Sequence, residues 1–385
     1  MPETILEGKV PVKSWTGDIE ESAVKQLENL SQLPFAFHHI AVMPDCHAGY
    51  GMPIGGVLAA KDVIIPNAVG VDIGCGMVAV KTSLKKINEK QLHDIIKRIR
   101  NEIPTGFKKH KQPQDVSLLP QPSRDLLIVN QEFENARHQV GTLGGGNHFI
   151  EIQKGSDGHI WYMIHSGSRN LGHTVAKHYN RVAKELNKTI DPKIPDNFQL
   201  DFLPINSPEG QMYMKEMQYC TDFAFANRKY MSDKVQNIFK RFTDVEFLPV
   251  INIAHNYAAK ETHYGESVIV HRKGATSAKK GETGIIPGSQ GVESYIVRGK
   301  GNPESFMSCS HGAGRKLSRT AAKKSLDLEK EIEYMNSKKI VHNISSKKHL
   351  DEAPSAYKDI AEVMKNQSDL TEILVELKPL AVVKG

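Results

Sequence analysis

Asp72 and Cys75 lie three residues apart in the stretch GVDIGCG, residues 70–76, where nothing large covers the thiol. Four histidines stand in similar company: His148 in GTLGGGNHFIE, His165 in MIHSGSRNLG, His255 in NIAHNYAAKE and His311 in SCSHGAGRKLSR. Each neighbours Gly, Ser or Asn at what reads as a strand end, the kind of loop that carries function on a rigid scaffold. A carboxylate, a thiolate and several imidazoles form a ligand set for a divalent transition metal, and a thiolate can bridge two ions. Three ligands per ion with an open position would mark a catalytic site. The spacing is neither that of a zinc finger nor that of an HExxH helix. On spacing alone, satisfied structural histidines and an incidental thiol in a tight turn therefore stay open as the alternative.

Glycine-rich turns recur beside these residues: GTLGGGN, GSQG within IIPGSQGVES, and HGAGR. Such turns can aim backbone N–H groups at phosphate oxygens. None fits the P-loop pattern or a strict G-x-G-x-x-G after a strand, and each can also be a plain turn. Arg169 and Arg315 follow two of them and are candidates to clamp phosphate through bidentate contacts.

The elements that must hold these loops alternate along the chain without an internal repeat. Residues 17–31 read as a helix, HHIAVMP as a strand, and GGVLAAKDVIIP and MVAVKTSL as buried strands. NEKQLHDIIKRIRNEI is an amphipathic helix ended by Pro104, and residues 104–124, rich in Pro, Lys and Gln, read as an exposed loop. HFIEIQK and HIWYMIHSG form a strand pair, followed by a helix over NLGHTVAKHYNRVAKELN. Ser207 as N-cap and Pro208 in the first turn start a helix running to about residue 241. DVEFLPVINIAHN, ESVIVHRKG and ESYIVRG are strands; two or three helices and a final apolar strand close the chain. Strand-then-strand order fits a doubly wound fold poorly. The expectation is one α/β domain of the mixed α+β kind over residues 1–385, with mixed sheets.

Composition bounds the function. The chain has 385 residues, 39% hydrophobic and 24% charged, the mix of a soluble globular protein. No apolar run approaches the roughly 20 residues of a membrane helix. The first residues lack a basic-then-apolar signal pattern, so a cytoplasmic protein without a membrane partner is expected. Cys46, Cys75, Cys220 and Cys309 are scattered, so cysteine chemistry should involve a single thiolate. Cys220 falls in a helical pattern and reads as core. The net charge of +6 is mild, but lysine and arginine cluster at 108–111, 279–280, 315–319, 323–324, 338–339 and 347–348. These are solvated surface or the footprint of a polyanion.

Taken together, MPDCHAGYGMPIGG, GVDIGCGM, GTLGGGNHFIE, HSGSRNLG, AHNY, HRKGATSA, IIPGSQG, SHGAGRKLSR and the terminal VVKG resemble the RtcB family of RNA-splicing ligases, in the family's order over residues 43–385. The length resembles its compact members, some tied to RNA repair more than to tRNA splicing. The resemblance implies a single catalytic domain with sheets around a central metal and nucleotide cleft. It implies joining of RNA ending in a 2′,3′-cyclic phosphate or 3′-phosphate to RNA with a 5′-hydroxyl, using GTP and two manganese ions. A histidine attacks the GTP α-phosphorus, the GMP passes to the RNA 3′-phosphate, and the 5′-hydroxyl displaces it; a cyclic phosphate is first opened by hydrolysis.

Carried over by residue, the resemblance makes Cys75 the thiolate shared by both ions, with Asp72 and His148 on one and His165 and His255 on the other. The glycines around Asp72 and Cys75 would then let ions and triphosphate approach. His311 becomes the guanylylated nucleophile. Asn147 and the turn Pro287, Gly288, Ser289, Gln290 would contact the nucleotide, together with His148, His255, Asn256, His311, Gly312, Ala313 and Gly314. Glu151, Ser294 and Lys384 would read the guanine, and Arg169 and Arg315 the RNA phosphate. Cys46 and His47 match no ligand of the family and read as supporting or structural. By softness the ligand list suits zinc better than manganese. Some relatives need a small activator, archease. The alternatives are a metal-dependent phosphoesterase or cyclic phosphodiesterase on RNA ends, which would not need His311, Glu151 or Lys384, and a non-catalytic RNA-binding relative, which should have lost metal ligands.

Overall fold

The computed structural model describes residues 2–385. Its frame is two large sheets. One has six strands, in the order Glu3–Leu6, Val12–Ser14, Ala36–Tyr50, Met52–Ala60, Glu266–Lys273, Asn256–His263. The other has seven, in the order Ile251–Ala254, Gly76–Lys81, Ile160–Ser166, Phe149–Gly155, Thr371–Lys384, Ser294–Gly299, Thr283–Ile286. Within the two large sheets, only Val12–Ser14 beside Ala36–Tyr50 is parallel; the seven-stranded sheet is antiparallel throughout. The strand-after-strand sequence order is thus the signature of hairpins, not of crossover units.

Period-two alternation explains how both faces of each sheet are covered. Val78 and Val80, with Ile150, Ile152 and Ile164, pack on the helices Glu89–Glu102 and Pro208–Phe242. Met77 and Ala79 point the other way, with Phe149 and Met163, toward Met335 and Ile340. In the six-stranded sheet Ile40 and Val42 meet Ala23, Leu27 and Leu30 of the helix Glu21–Ser31. Ala41 and Met43 face Ile286, Tyr295 and Val297 of the second sheet. The two sheets therefore meet along one seam, and the candidate site opens on it.

Local signals set several boundaries. Asn88 accepts from the Gln91 N–H at 2.8 Å and the Gln91 side chain returns to the Asn88 N–H at 3.1 Å, a full capping box. Ser207 accepts from the Gly210 N–H at 3.0 Å, with Pro208 behind it, and the helix runs 35 residues to Phe242. The stretch DVEFLPVINIAHN is not one strand. Residues 244–250 are mostly irregular, with Leu248 and Val250 exposed, and pairing resumes only at Ile251–Ala254. A helix over Leu127–Gln139 was not expected: its N-cap, Leu126, makes no side-chain capping bond.

The long helix does more than fill the core. Its Asn227 accepts from the backbone N–H groups of Gly141 and Thr142 at 2.7 and 3.2 Å and donates to the Gly167 carbonyl at 3.0 Å. The next residue, Arg228, is fully buried and donates to the carbonyls of Gly74 and Ser166 at 2.8 and 2.9 Å. One helical turn thus braces the loops before His148, after His165 and around Cys75. Asn227→Ala is expected to lower the unfolding free energy by about 2–4 kcal/mol, because it strands buried backbone donors without an acceptor. Urea denaturation measures this, and a loss under about 1 kcal/mol would show that the loops are held by other contacts.

Candidate functional site

Asp72, Cys75, His148, His165 and His255 converge. The Cys75 Sγ lies 3.5 Å from His148 Nε2 and 3.3 Å from His165 Nε2. His148 Nε2 is 3.1 Å from Asp72 Oδ2, and His165 Nε2 is 3.3 Å from His255 Nε2. The sulfur therefore sits between an aspartate–histidine pair and a histidine–histidine pair. The ligand atoms of Cys75, His148 and His165 all fall within 4.8 Å of one another.

The donor set suits a cation. The His148 Nδ1 donates to the Leu143 carbonyl at 2.9 Å, and the His165 Nδ1 to the Asn147 carbonyl at 3.2 Å. These bonds fix the tautomers and turn both Nε2 lone pairs inward, the arrangement of a metal-ligating imidazole. Burial, then neighbouring imidazoles, holds His165 and His255 well below the ordinary histidine pKa, so they stay neutral. Burial would raise the Asp72 carboxyl, but the apposed His148 imidazole, then the nearby Arg169 guanidinium, carry it below the usual range. Burial and the Asp72 charge push the Cys75 thiol up; a bound cation reverses that for a coordinating sulfur. Inward Nε2 lone pairs, a sulfur and a carboxylate gathered within bonding reach of one point are a donor set that a divalent cation would satisfy.

Two glycines of GVDIGCG, Gly74 and Gly76, serve the protein's own packing. Gly74 has φ +73°, and a Cβ there would stand 2.7 Å from the Thr221 Cα of the long helix. A Cβ on Gly76 would meet the Ile253 carbonyl at 1.9 Å. The turn is pressed between a helix and a strand, and this close fit fixes where Asp72 and Cys75 point.

A cleft opens beside the donors, walled by Asn147, Phe149, Glu151, His165, Pro287–Gln290, His311–Arg315, Tyr357 and Lys384, with His47 and Arg319. The last strand explains how the penultimate residue joins it: Lys384 pairs with Phe149 and Val382 with Glu151. Lys384 Nζ donates to the Asn147 carbonyl at 3.2 Å and stands over the Phe149 ring. Burial raises the Glu151 carboxyl to about 8, with Gln153 and Lys384 pulling the other way. The Ser289 Oγ and the Gln290 Oε1 are buried without partners. A ligand bearing hydrogen-bond donors and acceptors, such as a base edge, would satisfy them.

His311 sits in the same wall. Its Nδ1 lies 2.6 Å from Asp45 Oδ2, and that oxygen also accepts from the backbone N–H groups of His311 and Gly312 at 3.1 and 3.3 Å. Asp45 is fully buried. With Nδ1–H given to a carboxylate, the Nε2 lone pair is left for the cleft, the geometry of an oriented nucleophile. The His311 ring packs edge-on against His255 at 4.8 Å between centroids, so donors and candidate nucleophile are neighbours.

Other expected residues play different parts. Asn256 is spent inside the protein, donating to the Asp72 carbonyl at 3.1 Å and accepting from the Gly274 N–H at 2.7 Å. Ser294 accepts from the Gly288 N–H at 3.1 Å and so shapes the Pro287–Gln290 turn from behind. Arg169 lies behind His148, its Nη1 3.5 Å from the ring Nδ1. Arg315 reaches the cleft, but its guanidinium already donates to the Leu317 and Asp351 carbonyls and faces Glu352 at 3.3 Å. His47 lines the cleft and hydrogen-bonds the Asp45 carbonyl at 2.9 Å, while burial lowers it to about 4. Cys46, Cys220 and Cys309 are buried free thiols.

Two acids escaped the sequence reading. Asp45 stands in the middle of a long buried strand, and an unpaired acid in such a run is the signal that points to it. Glu352 gathers Arg315, Arg319 and Lys384 at one end of the cleft and accepts from the Tyr357 hydroxyl.

The model of the family described as "tRNA-splicing ligase RtcB" matches residues 26–127 and 120–385. The chain is 38% identical to the RNA-splicing ligase RtcB of Escherichia coli (strain K12), over 100% of this chain and 99% of that protein. It is 32% identical to the tRNA-splicing ligase RtcB of Methanococcus maripaludis, over 96% of this chain and 92% of that protein. The corresponding protein of Thermococcus kodakarensis is 31% identical, over 95% and 92%.

Proposed function

Because this chain belongs to the RtcB family and is an RNA ligase, we propose that it joins RNA 2′,3′-cyclic phosphate or 3′-phosphate ends to 5′-hydroxyl ends, with GTP and two manganese ions, through a guanylylated His311. The observation that carries this reading is His311: oriented by Asp45, it lines the same cleft as Glu151, Lys384 and His165.

In the first step the His311 Nε2 lone pair forms a bond to the GTP α-phosphorus, and pyrophosphate leaves as the α–β bond breaks. Asp45 holds the Nδ1 proton and balances the charge of the phosphorylated ring. An oxygen of the RNA 3′-phosphate then takes the guanylyl group, which restores the neutral imidazole. The 5′-hydroxyl finally attacks the activated 3′-phosphate, and GMP departs with its electron pair. Bound manganese supplies Lewis acidity toward the phosphoryl oxygens. Cys75 would hold both ions, Asp72 and His148 one of them and His165 and His255 the other; the sulfur's place between the two pairs supports this. The softness of sulfur and imidazole suits zinc better, and manganese rests on the family.

Glu151 faces the guanine in this reading, its two oxygens accepting the N1 and N2 hydrogens that adenine does not present together. Asn147, Phe149 and the Pro287–Gln290 turn hold the rest of the nucleotide. In this reading residues 1–385 act as one unit, since the cleft takes residues from His47 to Lys384, and the setting is the cytoplasm. Among the described residues no helix is long and apolar enough to cross a membrane. RNA repair or tRNA splicing is the setting, and an archease-like protein is a candidate activator.

The guanine contact predicts a pH dependence. Burial holds the Glu151 carboxyl up at about 8, so below that pH it carries a proton that guanine pairing must displace. Affinity for GMP should therefore rise up to about tenfold per pH unit from pH 6.5 toward 8 and flatten above it. Glu151→Gln should bind about ten- to a hundredfold more weakly at pH 8.5 and lose the Glu151-linked slope. Calorimetric titration of both proteins checks this, and equal slopes would remove Glu151 from the guanine site.

The reading is tested by incubating the protein with 3′-phosphate and 5′-hydroxyl RNA, GTP and manganese. A sealed product that needs GTP is expected. Release of inorganic phosphate without sealing would favour the phosphoesterase alternative.

A further inference from the structure

Phe107 is the most exposed large hydrophobic side chain among the described residues, at 109% of its reference area. It precedes Lys108, Lys109, His110 and Lys111, and all three lysines are exposed. An apolar ring held out in water is costly, so its setting matters. The segment is pinned at both ends. The Gly106 N–H donates to the Gly144 carbonyl at 2.7 Å, and the Lys108 N–H closes a turn on Thr105 at 3.2 Å. Beyond the lysines, the N–H groups of His110 and Gln114 donate to the carbonyls of His138 and Arg137, both at 2.9 Å. The ring is thus presented by a fixed loop.

That loop adjoins the donor cluster. Gly144 opens the GGGN turn that leads to His148. Arg169 spans the gap, with Nη2 3.4 Å from the Gly106 carbonyl and Nη1 3.5 Å from the His148 ring. One side chain separates the base of the Phe107 turn from a proposed metal ligand.

A flat ring flanked by unbranched cations is the chemistry that takes a single-stranded nucleic acid: any base offers a π-face, and the ammonium groups take the phosphates. We propose that Phe107, Lys108, Lys109 and Lys111 form the platform on which single-stranded RNA lies as its end reaches the donor cluster, one unpaired base stacking on Phe107. This rests on the RNA-ligase reading above. It also selects one basic cluster among the several in the sequence. Duplex RNA is not held this way, because its bases are already stacked.

The test is fluorescence anisotropy with a short single-stranded RNA ending in a 3′-phosphate, across a salt series, beside a blunt RNA duplex. Phe107→Ala should weaken the single strand by roughly five- to a hundredfold, leave the salt slope and the duplex affinity unchanged, and be rescued by Phe107→Trp. Its surface position means that the melting temperature should not move. The combined variant Lys108→Gln, Lys109→Gln and Lys111→Gln should make the slope of log affinity against log salt shallower by about 2, at about 0.7 per phosphate contact. Single-strand affinity and slope within twofold of the unmodified protein in both variants would overturn the proposal and leave the loop to a protein partner. Failure of the unmodified protein to join RNA ends would instead overturn the reading on which the proposal rests.

Discussion

Asp45→Asn should slow formation of the protein–GMP adduct by about 10³–10⁴-fold, the scale seen when the acid of a Ser-His-Asp triad becomes an amide. The carboxylate does two things at once. Its Oδ2 accepts the His311 Nδ1 proton at 2.6 Å, and the same oxygen accepts two backbone N–H groups of the HGAGR loop. An asparagine can keep the backbone bonds through its carbonyl oxygen. It cannot offset the positive charge on a phosphorylated imidazole in a buried site, where that charge is expensive. The loop therefore stays in place while the nucleophile weakens. Single-turnover labelling from GTP measures the rate, and the melting temperature reports on the fold. A rate within about tenfold of the unmodified protein would show that the pair is structural and that His311 does not need its acid.

Cys75→Ala should abolish both adduct formation and ligation, a loss of at least about 10³-fold, because a bound ion supplies several kcal/mol of charge stabilisation. The expectation follows from position. The sulfur stands between Asp72–His148 and His165–His255, so one substitution removes a ligand from both pairs. The same change at Cys220, buried in the apolar core, should leave both rates unaltered. Metal content per folded chain accompanies the assay. Normal ligation by a folded Cys75→Ala protein would rule out the shared ligand.

Much of this site was legible in the sequence because its donors sit where strands meet Gly, Ser or Asn. Asp72, Cys75, His148, His165 and His255 were found that way and do converge. Helix starts with a side-chain cap, at Asn88 and Ser207, were equally plain. The helix Leu127–Gln139 was missed for the opposite reason, since Leu126 offers no capping oxygen. The stretch DVEFLPVINIAHN read as one strand because of its apolar middle, LPVINIA. Only its second half is a strand, because the Gly76–Lys81 strand pairs with Ile251–Ala254, a partner no local pattern reveals. Asp45 lies 266 positions from His311, Asn227 and Arg228 sit within an ordinary helix, and Glu352 gathers cations from two distant segments. Such contacts are made by the fold, and single-sequence periodicity carries no trace of them. The glycines of GVDIGCG were visible, but the packing that Gly74 and Gly76 answer to was not: it comes from the long helix and a neighbouring strand.

The most direct test of a guanylylated His311 compares unmodified and His311→Ala protein on two substrates. With GTP labelled at the α-phosphate and manganese, the unmodified chain should carry label through a denaturing gel and seal RNA. His311→Ala should bind manganese as before, since it lies outside the donor cluster, yet carry no label and seal nothing from GTP. Supplied with RNA already guanylylated at its 3′ end, the variant should still join it to a 5′-hydroxyl end, because that step calls only on metals and positioning. Label on His311→Ala would contradict the claim, and the search for the nucleophile would move to the neighbouring histidines of the donor cluster.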